Sequence, residues 1–233
     1  MRVLITRPRE DAEGVQAILA DHGIEALIEP LLEIAYHPGP AFDLSHIQAL
    51  LMTSANGVRA FAKRNPERDV ALYAVGDATA REAAALGFIA VHSAAGDVDT
   101  LADLVIENLV PGDGALLHPA GSAVAGDLAG RLGGAGFEVQ REVIYTATPA
   151  AQLSDHAQRE IDAGAVDGVM LYSPRTGAAF ARLTEAAGLG SKLKNVTAYC
   201  LSSAVADKIC DLPWAEIKTA ARPDQGALME LLI

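Results

Sequence analysis

Two short runs in the chain join an aliphatic strand, a serine and a helix. Leu50-Leu51-Met52-Thr53-Ser54-Ala55-Asn56 leads into Ala60-Phe61-Ala62, and Met170-Leu171-Tyr172-Ser173-Pro174-Arg175 leads into Ala179-Phe180-Ala181. Ser54 and Ser173 lie 119 positions apart, and Phe61 and Phe180 keep the same spacing. A polar residue where a strand hands over to a helix sits beside backbone N–H groups that have no partner within the helix. Together with the helix dipole these groups make a site for anions. The same residue types also serve as plain helix caps, and both readings stand for each junction taken alone. Junctions of this kind fall at Thr6, at Ser54, at Asp77, Ala78 and Thr79, at Pro119, Ala120 and Gly121, at Ser173, and at Ser202 and Ser203. Arg7, Arg59, Lys63 and Arg175 lie at or just after junctions, where a guanidinium or ammonium adds charge-assisted bonds to a bound carboxylate.

Elements must bring these junctions together. Short aliphatic or β-branched runs alternate with longer helical patterns throughout. Strands are predicted at 2–6, 26–28, 49–52, 70–74, 89–91, 115–117, 138–140, 168–171, 196–199 and 216–218. Helices are predicted at 10–22, 57–64, 78–86, 100–109, 124–134, 176–187, 204–209 and 225–232. The first helix shows the logic: Val15, Ile18, Leu19 and His22 share one face and Gly23 stops it. Strand and helix in alternation imply parallel sheets covered by helices on both faces. In open sheets of that class the ligand crevice lies off the carboxyl ends of the strands, where all these junctions sit.

The opening repeat extends further. Tyr73-Ala74-Val75-Gly76-Asp77-Ala78-Thr79-Ala80 resembles Tyr199-Cys200-Leu201-Ser202-Ser203-Ala204-Val205-Ala206, 126 positions on. Leu4, Leu19, Gly23 and Glu25 correspond to Leu117, Leu132, Gly136 and Glu138, 113 positions on. Three blocks in the same order suggest two copies of one αβ unit. Two segments, 30–38 and 142–149, are extended and proline-flanked, with no helix to cover them. Pairing them as a two-stranded connector would make one domain discontinuous.

Composition removes several function classes. The 233 residues carry 18 Lys+Arg against 30 Asp+Glu, a net charge of −12, which is a poor basis for nucleic-acid binding. Hydrophobic residues make up 51%, ample for buried cores, but no apolar run is long enough to span a bilayer. The opening Met1 to Pro8 turns polar too soon for a signal peptide. Cys200 and Cys210 are the only cysteines, which fits free thiols in a reducing cytoplasm. The six histidines, His22, His37, His46, His92, His118 and His156, are scattered with no metal-ligand spacing. The glycine-rich run from Gly130 to Gly136 closes a helix instead of opening one, so it is no dinucleotide fingerprint. Ser54 and Ser173 lack the Gly-x-Ser-x-Gly elbow of hydrolases.

Several soft motifs follow one another in a recognisable order. They are Thr6-Arg7-Pro8, Thr53-Ser54-Ala55-Asn56-Gly57-Val58, Val75-Gly76-Asp77-Ala78-Thr79-Ala80, Gly96-Asp97-Val98-Asp99-Thr100-Leu101, Val143-Ile144-Tyr145, Tyr172-Ser173-Pro174-Arg175-Thr176 and Ala220-Ala221-Arg222-Pro223. In order, spacing and full-length coverage the chain resembles the uroporphyrinogen-III synthases. The resemblance implies an α/β fold of two doubly wound, Rossmann- or flavodoxin-like parallel-sheet domains joined by a two-stranded β connector. It places residues 1–33 and 149–233 in one discontinuous domain, 37–142 in the inserted one, and 30–38 and 142–149 in the linkers. It implies cyclisation of linear hydroxymethylbilane to uroporphyrinogen III with inversion of the terminal pyrrole ring and loss of water, in heme biosynthesis. No metal or organic cofactor is implied. The expected partner is the small-molecule substrate, with a hand-over from hydroxymethylbilane synthase as a further expectation. No nucleic acid and no membrane are expected, and the chain reads as a cytoplasmic monomer. It departs from the family at Ser202-Ser203-Ala204-Val205, where a Gly-Pro-Thr-Thr type turn is usual. It departs again at His118-Pro119-Ala120-Gly121, where many members place Arg-Gly.

That substrate carries eight carboxylates, which the acidic chain would meet with backbone N–H groups. Substrate-binding positions on this reading are Thr6 and Arg7; Ser54, Ala55 and Asn56; and Gly76, Asp77 and Ala78. They continue with Ala120 and Gly121; Ser173, Arg175 and Thr176; and Ser202 and Ser203. If the two domains face each other, both sets line one cleft. Tyr145 is the candidate general acid for the leaving hydroxyl, since the family places a tyrosine here; packing as a cross-strand aromatic is the plain alternative. Thr79 is a second candidate donor, against a local backbone-bonding role in a first helical turn. The rival from another class is a two-lobed small-molecule binding or sensing module without catalysis.

Overall fold

The structure, a computed structural model, describes residues 1–124 and 126–233. The chain forms two units, one of Met1–Glu33 with Thr148–Ile233 and one of Ile34–Ala147. The first unit opens with β1 (Arg2–Ile5), α1 (Arg9–Asp21) and β2 (Glu25–Ile28). β3 (Leu32–Tyr36) carries the chain into the second unit. There follow β4 (Ile47–Met52), α2 (Ala55–Arg64), β5 (Ala71–Ala74), α3 (Asp77–Ala85), β6 (Val91–Ser93), α4 (Val98–Asn108), β7 (Ala115–Gly121) and α5 (Leu128–Gly134). β8 (Val139–Pro149) returns the chain. The first unit is completed by α6 (Asp155–Asp162), β9 (Gly168–Leu171), α7 (Pro174–Ala186), a 3-10 turn (Gly190–Asn195), β10 (Thr197–Cys200), α8 (Ser203–Ala206), β11 (Glu216–Thr219) and α9 (Gln225–Met229).

Both sheets follow one plan. The first has the order β11-β10-β9-β1-β2, all parallel. The second has the order β3-β8-β7-β4-β5-β6 and is parallel from β8 to β6. Without β3, the second sheet places β4 where the first places β9 and β7 where the first places β1. The chain winds away from β9 through β10 and β11, and the other way from β1 to β2. The strand order therefore reverses between β1 and β9, and likewise between β7 and β4. In doubly wound sheets these reversal points are where ligands bind.

Aliphatic runs form the central strands because both faces are buried. In the first unit Leu4, Val169, Leu171 and Phe180 fill one face, and Val3, Ile5, Leu19 and Met170 the other. In the second unit Leu50, Met52, Phe61 and Leu117 share one face with Tyr145, while Leu51, Leu101, Val105 and Leu116 fill the other. Phe61 and Phe180, the repeated phenylalanines, are both 0% exposed. Burying each stabilises its unit by about 1.5–3 kcal/mol relative to leaving it in water.

Several elements differ from the sequence expectation. The predicted strand at 138–140 and the extended connector at 142–149 are one strand, β8. Its start pairs in parallel with β7, while the N–H of His37 donates to the Ile144 carbonyl at 2.8 Å and that of Ala150 to the Leu31 carbonyl at 3.0 Å. Those last partners move along the chain in opposite directions, so β3 runs antiparallel to β8. The strand expected at 89–91 lies at Val91–Ser93, and Ile89 is 79% exposed. Part of the helix predicted at 124–134 falls on Ala125, outside the described residues. The helix itself starts at Leu128, because the Asp127 carboxylate accepts the Gly130 N–H and fixes the first turn there. The sequence expectation lacks helix α6: six of its eight residues are polar, and Ala157 and Ile161, at i,i+4 spacing, are its only buried ones. No helix among the described residues is long and apolar enough to cross a membrane.

Candidate active site

In the second unit the reversal point lies at the ends of β4 and β7. β4 ends at Met52, and Thr53-Ser54 turn the chain into α2. Ser54 is the N-cap: its Oγ accepts the Asn56 N–H at 3.0 Å. That oxygen has a second partner, the Tyr145 hydroxyl at 3.1 Å. Tyr145 lies on β8, in register with Gly121 at the end of β7, and is 8% exposed. Gly121 makes room for its ring, and Gly57 lies at its far edge, where the Pro119 carbonyl excludes a side chain. A Cβ at Gly121 would sit 2.7 Å from Tyr145 Cζ and 2.9 Å from its hydroxyl oxygen. A Cβ at Gly57 would sit 3.9 Å from Cε1 and 2.9 Å from the Pro119 carbonyl oxygen. The ring thus both packs the sheet face and ends in a hydroxyl at the strand ends. The two sequence readings of Tyr145 are compatible.

At the same strand ends, Thr53 Oγ1 meets His118 Nε2 at 3.2 Å. His118 is 2% exposed. Burial, and secondarily the Arg141 guanidinium, push its imidazole down to about 4, so it is neutral at ordinary pH. Arg141 lies opposite His118 in register, and its Nη2 donates to the Gly121 carbonyl at 3.0 Å. Neither His118 nor Arg141 stood out in the sequence as part of a site. Histidine spacing pointed to no metal, and no group of three or more His, Cys, Asp or Glu among the described residues is arranged to hold one.

The junction after β5 is simpler. Gly76 N-caps α3 through its backbone and offers no side chain. Asp77 and Ala78 are exposed, and the Asp77 carboxylate accepts the Ser93 hydroxyl at 2.7 Å. Thr79 is 5% exposed, in the first turn of α3.

In the first unit the reversal point lies at the ends of β1 and β9. Thr6 is 0% exposed and its hydroxyl donates to the Met170 carbonyl at 2.7 Å, tying β1 to β9. Only its backbone is left for a ligand. Arg7 spans the reversal point, with its guanidinium carbon 4.8 Å from the centre of the Tyr172 ring. It donates to Gln225 at 2.8 Å and faces Asp11 at 3.5 Å. Burial holds the Tyr172 phenol well above its ordinary value. Ser173 and Thr176 form a reciprocal capping box at the start of α7, each hydroxyl engaged by the other's backbone. Arg175 is exposed. Ser202 caps α8 without a side-chain hydrogen bond, and Ser203 is exposed.

Two cations do other work than expected. Arg59 pairs with Glu82 of α3, Nε to Oε1 at 2.7 Å and Nη2 to Oε2 at 2.8 Å, and also reaches Asn56. Lys63 is in the last turn of α2, the end away from Ser54, with its ammonium 3.7 Å from the centre of the Tyr36 ring. Nearly the whole ten-residue helix separates Lys63 from the junction, so the expectation that it serves there is corrected.

A model of the family described as uroporphyrinogen-III synthase HemD matches residues 13–230. The chain belongs to that family. No curated protein matches it. Among solved structures it is similar to uroporphyrinogen-III synthetase from Helicobacter pylori 26695, with a TM-score of 0.63 and 18% identity over 99% of this chain and 98% of that one. It is also similar to a mutant uroporphyrinogen III synthase from the extremely thermophilic bacterium Thermus thermophilus, with a TM-score of 0.54 and 18% identity over 99% and 96% of the two chains. At that identity the likenesses establish the two-domain α/β fold, and the family match establishes the activity. The chain is a cyclising lyase of tetrapyrrole and heme biosynthesis. It converts hydroxymethylbilane to uroporphyrinogen III with inversion of the terminal ring and loss of water. The alternative of a binding module without catalysis is not favoured.

Proposed function

We propose that the chain carries out this cyclisation with Tyr145 as the proton donor to the departing hydroxyl, and with peptide N–H groups at strand ends holding the substrate's carboxylates. The observation that carries the reading is the Tyr145 hydroxyl at 3.1 Å from Ser54 Oγ, at the reversal point of the second sheet. The Tyr145 hydroxyl donates to Ser54 Oγ, which also accepts the Asn56 N–H, so the serine holds the phenol in place, and turning the phenol proton to the substrate exchanges that bond for one to the leaving hydroxyl. The hydroxymethyl C–O bond breaks, and the oxygen takes that proton and leaves as water. The resulting azafulvene is attacked by the terminal pyrrole at its substituted carbon. The spiro intermediate then opens and recloses with the ring inverted, and the carbon that makes the final bond loses its proton.

Most of the rate comes from geometry. Holding reacting carbons in place supplies up to about 7–11 kcal/mol, and a positioned general acid adds about 10²–10⁴-fold. Thr79, in the first turn of α3, is a second donor to a carboxylate. Gly76, Asp77, Ala78, Ser202 and Ser203 serve through their backbones, as do Thr6 and Ser173, whose hydroxyls are engaged in the fold. The junction expected at Pro119, Ala120 and Gly121 is corrected, since these residues lie inside β7, paired with β8, and the next helix starts only at Leu128. The reaction needs no cofactor on this reading. Free Cys200 and Cys210 support a reducing, cytoplasmic setting. Exposed large apolar side chains such as Ile18, Ile89 and Val110 are single and scattered, which supports a monomer. The reactivity of hydroxymethylbilane favours direct hand-over from hydroxymethylbilane synthase.

The test is to add hydroxymethylbilane to purified protein and identify the isomer formed. Uroporphyrinogen III above the unaided rate supports the reading. The uninverted isomer alone, at the unaided rate, refutes it.

A further inference from the structure

Arg141 belongs to no sequence motif, yet it ends at the reversal point of the second sheet. It projects from β8, opposite His118 of β7 in register, and its Nη2 reaches the carbonyl of Gly121 at 3.0 Å. Gly121 is the residue against which the Tyr145 ring packs. The guanidinium is therefore bonded to the same residue that seats the phenol. Like Arg68 and Arg182, it hydrogen-bonds only to backbone carbonyl oxygen, in contrast to the arginines that pair with an acid. Arg7, Arg59, Arg131 and Arg222 each face a carboxylate of the protein. Among the described residues no carboxylate pairs with Arg141, and a carbonyl oxygen takes up only one of its five donors. The residue is exposed.

We propose that Arg141 binds a carboxylate of the substrate beside Tyr145, supplying the second unit with a charged contact that its peptide N–H groups lack. The hydrogen bond to Gly121 fixes one edge of the guanidinium. The planar fork that remains matches a carboxylate in a bidentate pair. The neutral imidazole of His118, tied to Thr53, lies beside the arginine without repelling it or competing for the anion. The groups facing His118 are Thr53, just past β4, and Arg141 from β8, neither of them acidic. A ligand carboxylate would be the first negative partner the arginine meets. The inference rests on the proposed function and deepens it, since it names a contact for one of the substrate's side chains.

Three variants separate a binding role from a structural one. Arg141→Ala removes both the charge and the bond to Gly121. Arg141→Gln retains an amide that can donate to the Gly121 carbonyl but has no charge. Arg141→Lys keeps the charge without the fork. Hydroxymethylbilane kinetics and the isomer ratio are measured for each, with binding of uroporphyrin III, an octacarboxylate, by fluorescence quenching. Losing a charge-assisted bond raises KM and the uroporphyrin Kd about tenfold or more in Arg141→Ala and Arg141→Gln. Under the same inference kcat falls less than about threefold, Arg141→Lys recovers part of the affinity, and the wild-type advantage shrinks with added salt. Unchanged KM and Kd in Arg141→Gln overturn the inference, because the arginine then only props up Gly121. A fall in kcat with unaltered affinity overturns it as well. If the unmodified chain itself gives no uroporphyrinogen III, the fault lies with the proposed function and not with Arg141.

Discussion

Replacing Gly121 by alanine tests whether the packing around Tyr145 sets its chemistry. The added Cβ would stand 2.7 Å from Tyr145 Cζ, 2.9 Å from Cε2 and 2.9 Å from the hydroxyl oxygen. Carbon atoms in contact prefer about 3.5–4.0 Å, so the ring must retreat by about 1 Å. Room exists on the opposite side, where Gly57 leaves the ring edge 3.9 Å from its own missing Cβ. A shift of that size displaces the hydroxyl from its 3.1 Å geometry with Ser54 and from the position it holds at the strand ends. Misplacing a catalytic group by about 1 Å costs on the order of 10²-fold, or about 3 kcal/mol of transition-state stabilisation. Overpacking should also lower stability by about 1–3 kcal/mol. The expected result is a kcat for Gly121→Ala reduced about 100-fold with KM within about threefold, in protein that still unfolds cooperatively. The decisive measurement is the double variant with Tyr145→Phe. If the alanine acts by moving the phenol, the double variant is no slower than Tyr145→Phe alone. Multiplied losses in the double variant would refute this reasoning, since Gly121 would then act by a route that bypasses the hydroxyl.

Tyr145→Phe should lower turnover about ten- to hundredfold without abolishing it, because positioning remains; complete loss in a folded variant would show that geometry supplies less than argued. Ser173→Ala should cost about 1 kcal/mol in urea unfolding with little change in turnover, whereas Ser54→Ala should cost a similar cap energy and also reduce kcat; equal kinetics for the two would remove the distinction drawn between them. His118 binds its proton less tightly in the fold, at about 4, than in the unfolded chain, at about 6.5. Its contribution is therefore complete above about pH 6.5 and is lost as pH falls toward about 4, by roughly 3 kcal/mol in all. His118→Gln should flatten that part of the stability-against-pH curve measured by urea titration, and an unchanged slope would exclude a buried neutral imidazole.

The two serines show what could be read from the sequence and what could not. Both junctions were visible as strand, serine and helix, and both serines are helix N-caps. The difference between them lay three residues on. Ser173 is followed by Thr176, which closes a reciprocal box and occupies the serine. Ser54 is followed at that position by Gly57, which has no hydroxyl to close such a box, so the serine oxygen is left to a hydroxyl from another strand. Sequence marks the vacancy but not the occupant, because Tyr145 arrives from 91 residues away through sheet register. Arg141 and His118 stayed hidden for the same reason: parallel pairing of β7 with β8 makes them neighbours, and no local spacing announces it. The alternation of strands and helices was legible because buried strands need aliphatic runs. Helix α6 was not, since six of its eight residues are polar and only Ala157 and Ile161 mark its buried face.

The partition of the chain has a consequence for biosynthesis. The unit of Ile34–Ala147 is one uninterrupted stretch, whereas β1 must wait for β9, to which Val3 is matched at Gly168. A ribosome releases the whole middle lobe before it delivers that strand, so the middle lobe closes first while β1, α1 and β2 remain a half-built fragment, with the β1 edge that will meet β9 still bare. Capture of β1 by the last third of the polypeptide is then the expected last step in folding of the nascent chain, and chaperone shortage should harm the lobe made from both ends before it harms the other.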